Sequence, residues 1–207
     1  MELELKTKIW TSCYSNYYQK NSSFFSSEFL SGMARLGLDS SFVPVISDLN
    51  KNLASTGWVV QIFDEVVSHK KFFQCLAKKV LPLNSSFRSE DAIEDFAYPD
   101  FFHDVFGHLP MLYNEYYSNF LVAMGTVGSE IKQSAEHEQY CEKVLDSNFS
   151  SAQLMEETTS FNKNPFEYLN RISWWTTDMG CIKEGETLKF FGAELVTAPN
   201  ITIEMDL

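Results

Sequence analysis

Two histidines lie five residues apart in the segment PDFFHDVFGHLP, at positions 99–110. Neutral imidazole binds iron, zinc and copper well, so His103 and His108 are candidate metal ligands. On a regular α-helix, five residues correspond to about 140° of rotation, which would point the two rings in different directions. We therefore predict that the helix loosens near Gly107, because glycine tolerates unusual backbone conformations and Pro110 cannot continue the hydrogen-bond pattern. Both rings could then reach one metal ion.

Two imidazoles and one carboxylate form the facial ligand set of non-haem Fe(II) oxygenases, which leaves coordination positions for dioxygen and substrate. The acid must come from a distant part of the chain. The 2-oxoglutarate oxygenases usually place it two residues after the first histidine, where this chain has Val105. The zinc-protease pattern HExxH also fails, since Gly107 stands where its second histidine would be. From spacing alone, a purely structural role for both histidines stays open.

Composition favours one intracellular domain that acts on a small molecule. The 207 residues are 44% apolar and 15% aromatic, enough for one sizeable core, so we expect a single catalytic domain over 1–207. A net charge of −12 argues against binding to nucleic acid or to an anionic membrane surface. The sequence shows neither a secretory signal nor an apolar run long enough to span a bilayer, so we expect a cytoplasmic protein.

Hydrophobic periodicity predicts a mainly α-helical chain with a few short strands. We expect an irregular aromatic segment over 15–27 and a solvent-exposed excursion over 147–165. A helix should open at Pro99, where proline suits the first helical position. The remaining predicted elements are helices at 48–53, 68–81, 113–127, 129–145 and 166–178, a strand at 58–63, and a hairpin over 181–189.

The run PDFFHDVFGHLPML (99–112) resembles the iron-binding signature of the aromatic amino acid hydroxylases, tetrahydropterin-dependent enzymes that hydroxylate phenylalanine, tyrosine or tryptophan. It is most similar to the bacterial phenylalanine 4-hydroxylases. The similarity extends upstream through Arg88, 76–77, 72–73 and 56–58 as far as Leu49-Asn50, and it resumes downstream at WWTTDMG (174–180) and FGA (191–193). The resemblance implies the catalytic-core fold of that family. It also implies a non-haem Fe(II) monooxygenase that uses dioxygen, tetrahydropterin and an aromatic amino acid or a derivative of one.

The resemblance also implies roles for individual residues besides the two histidine ligands. Arg88 matches the arginine that binds the substrate carboxylate, a role that suits a guanidinium fork. Asp104 matches a catalytic acid near the pterin and the metal-bound water. Trp174 matches a tryptophan of the active-site wall, with catalytic and substrate-binding roles, and Thr197 matches a small hydroxylic residue close to the substrate and the iron.

The third metal ligand departs from the family pattern. The family has Glu in a Trp-x-x-x-Glu-x-Gly setting, whereas this chain has Asp178 at the equivalent place. Aspartate is an acceptable Fe(II) ligand but is one methylene shorter, so the backbone must come closer to the metal. The resemblance therefore implies Asp178 as the third ligand, with Glu184 and Glu186 as alternatives.

The pterin loop departs further. The family has a Gly-Leu/Ile-Pro-like pattern where a gapless reading places Asp64, Glu65, Val66, Val67 and Ser68, so Val66 and Val67 become the cofactor-binding candidates. This change supports a second hypothesis, an iron oxygenase that takes electrons from its substrate or another reductant instead of pterin. A zinc hydrolase using the same ligands and a non-catalytic binding protein are further alternatives.

The chain also differs from the family in length. The stretch 134–165 has no counterpart in the family pattern and is expected to be an insertion. The chain ends at Leu207, whereas the family continues beyond this point. The resemblance therefore implies a truncated and divergent catalytic core.

Overall fold

The computed structural model describes residues 2–63, 67–93, 99–132 and 165–197. These residues are mainly α-helical with a few short strands, which confirms the predicted fold class. No helix in these ranges is long and apolar enough to cross a membrane. The α-helices are α1 (Glu2–Tyr14), α2 (Ser27–Leu36), α3 (Ile46–Leu53), α4 (His69–Leu76), α5 (Glu115–Glu130), α6 (Pro165–Ser173) and α7 (Ala193–Val196). The strands are β1 (Val59–Phe63), β2 (Val80–Asn84), β3 (Cys181–Glu184) and β4 (Thr187–Phe190).

Short π-helices and 3-10 helices join the regular elements. The π-helices are Ser15–Gln19, His103–His108 and Trp174–Asp178, and the 3-10 helices are Ser22–Phe24, Ala54–Thr56, Glu90–Ala92 and Leu109–Tyr113. Most of the predicted helix 129–145 and of the excursion 147–165 falls outside the described residues. The single domain over 1–207 and the insertion at 134–165 therefore stay predictions.

Side-chain caps fix where three of the helices begin. Ser26 accepts a hydrogen bond from Phe29 N at the start of α2, Ser68 accepts from Lys71 N before α4, and Asn114 accepts from Tyr117 N before α5. Each cap satisfies a backbone N–H that has no partner inside the helix. The start of α5 matters most for the site, because it determines where the side chain of Tyr117 points.

The predicted helix 68–81 is too long. Helix α4 ends at Leu76, and Lys79 adopts a positive φ of 55°, which a helix does not accommodate. The chain then enters β2, which pairs in parallel with β1 from Val59↔Val80 to Phe63↔Asn84. Pro82 lies in β2, which pairs only with β1 within the described residues, and proline is tolerated in such an edge strand.

An aromatic cluster forms the core behind the two histidines. Phe102 and Phe106 stack with centroids 4.9 Å apart and an interplanar angle of 12°. Rings from α1, α2 and the connecting segment surround this stack. Those rings belong to Trp10, Tyr14, Tyr18, Phe25 and Phe29. Because one side of the segment 101–108 is packed in this way, its polar side chains are directed to the opposite side.

The predicted hairpin and the helix at 166–178 are both confirmed. Strands β3 and β4 pair antiparallel around Gly185, and α6 continues into the π-helix Trp174–Asp178. Phe191 N and Gly192 N both donate to Gly180 O, at 3.1 and 2.9 Å. These bonds connect the end of the π-helix to the hairpin.

Helix α2 packs so closely on the segment after His108 that a side chain at position 32 has no room. A Cβ on Gly32 would lie 2.0 Å from the carbonyl oxygen of Pro110. We expect Gly32→Ala to lower the free energy of unfolding by about 2 kcal/mol, because overpacking outweighs the better helix propensity of alanine. Chemical denaturation measures this loss. Ser31→Ala, at an exposed position of the same helix, should change stability by less than about 0.5 kcal/mol, and equal effects would contradict the close approach.

Candidate active site

A π-helix brings the two histidines to one side of the chain. Residues His103–His108 follow an i→i+5 hydrogen-bond pattern, so a residue lies about one turn from the fifth residue after it. The two imidazole centroids are 5.2 Å apart with an interplanar angle of 82°. The predicted loosening of the helix is therefore confirmed. The role of Gly107 is different from the prediction: its φ is not positive, but a Cβ there would lie 2.6 Å from Ala193 Cβ.

Asp178 meets both histidines from the end of another π-helix. Its Oδ1 lies 3.4 Å from His103 Nε2 and 3.6 Å from His108 Nε2. Thr177 Oγ1 lies 2.8 Å from the other carboxylate oxygen, Oδ2. The His103 side chain is 1% exposed, and those of His108 and Asp178 are 17% and 18% exposed. The three groups thus form a mostly buried cluster that keeps some access to solvent.

Each histidine uses its second ring nitrogen for a hydrogen bond to a hydroxyl. His103 Nδ1 lies 3.2 Å from Thr197 Oγ1, and His108 Nδ1 lies 3.2 Å from the Tyr117 hydroxyl. Thr197 Oγ1 already donates to Ala193 O at 2.7 Å, so it accepts from the Nδ1–H of His103. This leaves the Nε2 lone pair of His103 on the side of Asp178, the arrangement that metal-binding histidines commonly adopt.

The charges of the cluster favour a cation between the acid and the imidazoles. Burial lowers the pKa of His108 to about 4, although the negative charge of Asp178 opposes this. Burial also works against a charged His103, but the nearby carboxylates of Asp178 and Asp104 raise its pKa overall. The pKa of Asp178 is held below its usual value because the two imidazoles outweigh the effect of burial. A metal ion can replace the proton that this arrangement attracts.

The donor set fits one divalent iron. Ligands at right angles and about 2.1 Å from one ion are themselves about 3 Å apart, and the measured 3.4 and 3.6 Å need only a small contraction. The ligand atoms of His103, Asp104 and His108 also lie within 4.8 Å of one another. Asp104 Oδ2, however, accepts a hydrogen bond from Asn84 N at 2.7 Å. Asp178 is the acid that contacts both Nε2 atoms.

A cavity of about 350 Å³ opens beside these groups. Two histidines and two acids, His103, His108, Asp104 and Asp178, lie in its wall. Burial raises the pKa of Asp104 to about 6. Much of the remaining wall is apolar and comes from β1, α4, β2 and α5, through Phe63, Phe72, Leu81, Leu83 and Leu121. The size and polarity suit a ligand with one or two aromatic rings.

Arg88 is not among the residues that line this cavity. Its Nε and Nη2 donate to Asp100 Oδ2 and Oδ1 at 2.9 and 2.7 Å, and its Nη1 lies 3.1 Å from the Tyr17 hydroxyl. The side chain is 2% exposed. Asp100 Oδ1 also accepts from His103 N at 3.0 Å, so the ion pair holds the start of the histidine segment. A role for Arg88 in binding a substrate carboxylate stays a prediction, and its pairing with Asp100 does not favour it.

Two other predicted residues lie away from the cavity. Trp174 is 43% exposed, packs on Trp175 with centroids 5.2 Å apart, and is not among the residues lining the cavity. Thr197 is fully buried and contacts His103 instead of facing the cavity. Val67 does line the cavity, whereas Val66 lies outside the described residues.

The alternative acids do not reach the cluster. Glu184 accepts hydrogen bonds from the backbone N–H and hydroxyl of Ser27, both at 2.8 Å. Glu186 has a 97% exposed side chain next to Lys183. Neither can therefore replace Asp178 as a ligand without a rearrangement of the hairpin.

Several residues that support the site could not be predicted from residue spacing. Tyr117 and Asn84 contact His108 and Asp104 across gaps of 9 and 20 residues, and Asp100 pairs with Arg88 across 12. Such contacts depend on how separate elements pack, so no local pattern announces them.

The sequence profile of the biopterin-dependent aromatic amino acid hydroxylases matches residues 2–144, more than half of the chain. The chain belongs to this family. Among curated relatives, the phenylalanine-4-hydroxylase of Pseudomonas aeruginosa is 24% identical over 201 residues, covering 97% of this chain and 65% of the relative. That of Ralstonia nicotianae is 27% identical over 177 residues, covering 85% and 47%. The chain therefore spans about half to two thirds of the length of these hydroxylase relatives.

Solved structures of the family share the fold. The phenylalanine hydroxylase of Chromobacterium violaceum, with bound iron (III) and 7,8-dihydrobiopterin, superposes with a TM-score of 0.75 at 24% identity, covering 94% of this chain and 61% of that one. The apo phenylalanine hydroxylase of Colwellia psychrerythraea has a TM-score of 0.76 at 22% identity, with coverages of 96% and 65%. The expected hydroxylase catalytic-core fold is thus confirmed.

The buried Arg88–Asp100 pair should contribute strongly to the stability of this family member. We expect Asp100→Asn to lower the free energy of unfolding at neutral pH by about 3–5 kcal/mol, because the guanidinium loses its buried counter-charge. Asp91→Asn, at an exposed position, should change stability by less than about 0.5 kcal/mol. Chemical denaturation of both variants measures the difference.

The loss of stability caused by Asp100→Asn should depend on pH. Pairing with Arg88 lowers the pKa of Asp100 in the folded state despite its burial, so its contribution is present above its unfolded pKa of about 3.9 and is lost as pH falls through the folded value. The difference in free energy of unfolding between wild type and Asp100→Asn should therefore shrink below about pH 4. A difference that widens in acid would contradict the assignment.

Proposed function

We propose that this chain binds one Fe(II) through His103 Nε2, His108 Nε2 and Asp178 Oδ1. We further propose that it hydroxylates an aromatic amino acid or a derivative of one, with dioxygen and a tetrahydropterin. One oxygen atom would enter the substrate ring and the other would leave as water, with the pterin supplying two electrons. The observation that carries the proposal is the contact of Asp178 Oδ1 with both Nε2 atoms beside the cavity.

The iron, when bound, supplies open coordination positions at which dioxygen can be activated. The protein's own part is to bind, orient and exclude water. The apolar wall from Phe63, Phe72 and Leu121 suits an aromatic ring and keeps bulk water from it. The carboxyl of Asp104 lies in the same wall and has a pKa of about 6. Near neutral pH it can accept a hydrogen bond from a pterin or a bound water, or donate one to it.

A second candidate is an iron oxygenase that does not use pterin. The sequence Asp64-Glu65-Val66-Val67-Ser68 supports it, since two acids stand where the family has a glycine and proline pattern. Within the described part of this segment, Val67 lines the cavity and Ser68 caps α4. Both candidates need the same iron ligands, and they differ only in the source of electrons.

Replacing a proposed iron ligand should strongly weaken metal binding. We expect Asp178→Asn and His103→Ala each to weaken Fe(II) binding by at least about 100-fold, beyond the effect typical of supporting residues. Anaerobic calorimetry and elemental analysis of purified protein measure this. Glu186→Gln, which changes an exposed acid of the neighbouring hairpin, should bind iron as tightly as wild type.

Asp104→Asn distinguishes the roles of the two acids of the cluster, Asp104 and Asp178. If Asp178 is the ligand, Asp104→Asn should keep bound iron close to one per chain while Asp178→Asn does not. Loss of iron in Asp104→Asn with retention in Asp178→Asn would contradict the proposed ligand set. Near-stoichiometric zinc in protein purified without chelators would instead support a hydrolase that uses metal-bound water.

Product analysis tests the reaction. Iron-loaded protein is exposed to oxygen with phenylalanine, tyrosine or tryptophan, with and without tetrahydropterin, and products are read by mass spectrometry. We expect a gain of one oxygen atom that requires pterin and is absent in Asp178→Asn. Oxygenated product without pterin would favour the second candidate, and no oxygenation of any aromatic compound by iron-loaded protein would overturn the proposed substrate class.

A further inference from the structure

Tyr117 contacts the candidate metal centre through His108 and is not among the residues that line its cavity. Its hydroxyl lies 3.2 Å from His108 Nδ1, and the residue is 6% exposed. Its ring packs edge to face on Phe191, with centroids 6.4 Å apart at 89°. The packing of the ring accounts for a buried aromatic residue at this position, but it does not require a hydroxyl group.

The backbone around Tyr117 is held firmly in place. Asn114 Oδ1 accepts from Tyr117 N at 3.0 Å, and Asn114 Nδ2 donates to Glu28 Oε2 on α2 at 3.2 Å. The next residue, Ser118, accepts a buried hydrogen bond from Trp58 Nε1 at 2.7 Å. Contacts from α2 and from the residue preceding β1 therefore fix the first turn of α5. The position of the hydroxyl relative to His108 follows from these contacts.

We propose that Tyr117 is a positioning residue that accepts a hydrogen bond from the Nδ1–H of His108 and so keeps the Nε2 lone pair of that ring directed at the metal. The inference rests on the proposed iron site and deepens it. A neutral imidazole carries its proton on one nitrogen only, and the partner of each nitrogen decides which one. Tyr117 thereby selects the form of His108 that can bind a metal.

The Tyr117 hydroxyl is needed because the surroundings of His108 favour the tautomer that cannot bind a metal. Asp178 Oδ1 lies 3.6 Å from Nε2, and a carboxylate there attracts a proton to Nε2, which would remove the lone pair. An acceptor at Nδ1 opposes this effect. His103 has the corresponding acceptor in Thr197, so the two rings are held by separate hydroxyls from α5 and from the end of α7.

Tyr117→Phe removes the hydroxyl and keeps the ring and its packing. Co(II), which resists oxidation better than Fe(II) in such sites, serves as the probe. We expect anaerobic calorimetry to show Co(II) binding 10–100-fold weaker in this variant, the usual effect of losing a hydrogen bond to a metal-bound histidine. Tyr116→Phe is the matched control, because it removes a hydroxyl from an 87% exposed side chain on the same helix turn and should bind Co(II) as wild type does.

Proton NMR of the Co(II)-loaded proteins gives a readout that a merely structural role would not change. Each metal-bound histidine should show one exchangeable ring N–H signal with a strong paramagnetic shift. In Tyr117→Phe the His108 signal should broaden or vanish through faster exchange with solvent, while the His103 signal, protected by Thr197, remains. The retained signal also shows that the variant is folded around its metal.

The outcomes separate this inference from the proposed function. Weaker Co(II) binding together with selective loss of one N–H signal supports the role of Tyr117. Unchanged affinity with both signals protected in Tyr117→Phe would overturn it and leave the metal site standing. Wild-type protein that binds no Co(II) or Fe(II) would overturn the proposed function and, with it, this inference.

Discussion

The i→i+5 hydrogen-bond pattern of His103–His108 is what allows two histidines five residues apart to face one point. In an α-helix the same spacing would separate the rings by about 140° of rotation. A π-helix is intrinsically less favourable than an α-helix, so the surrounding structure must stabilise it. The ligands, the cavity and the supporting hydroxyls all have a function only if this backbone geometry is kept.

Packing on both sides of this π-helix stabilises it. The stacked Phe102 and Phe106 rings hold one side against an aromatic core, and Gly107 lets α7 approach within van der Waals contact. The Arg88–Asp100 pair fixes the first residue through the His103 N–H. Since each contact comes from a different part of the chain, the metal centre is coupled to the stability of the fold, and damage to the core should also lower metal affinity.

Residue spacing was enough to predict that the two histidines face one point through a loosened helix. Hydrophobic periodicity and turn residues predicted the hairpin and the mainly α-helical class. The helix 68–81 was predicted too long, because hydrophobic periodicity does not distinguish a helix end from a buried strand such as β2. Neither α1 nor α2 was recognised, although Ser26 offered a capping signal for α2. The roles of Tyr117 and Asp100 could not be predicted, since they depend on tertiary packing alone.

The most direct test of the central claim is a crystal structure of Fe(II)-loaded protein with anomalous data collected on both sides of the iron absorption edge. We expect a single anomalous peak per chain, bonded to His103 Nε2, His108 Nε2 and Asp178 Oδ1, with Asp104 outside bonding distance. A peak bonded to Asp104 instead of Asp178 would contradict the ligand set. Absence of an iron peak at the histidine pair would contradict the proposed iron site itself.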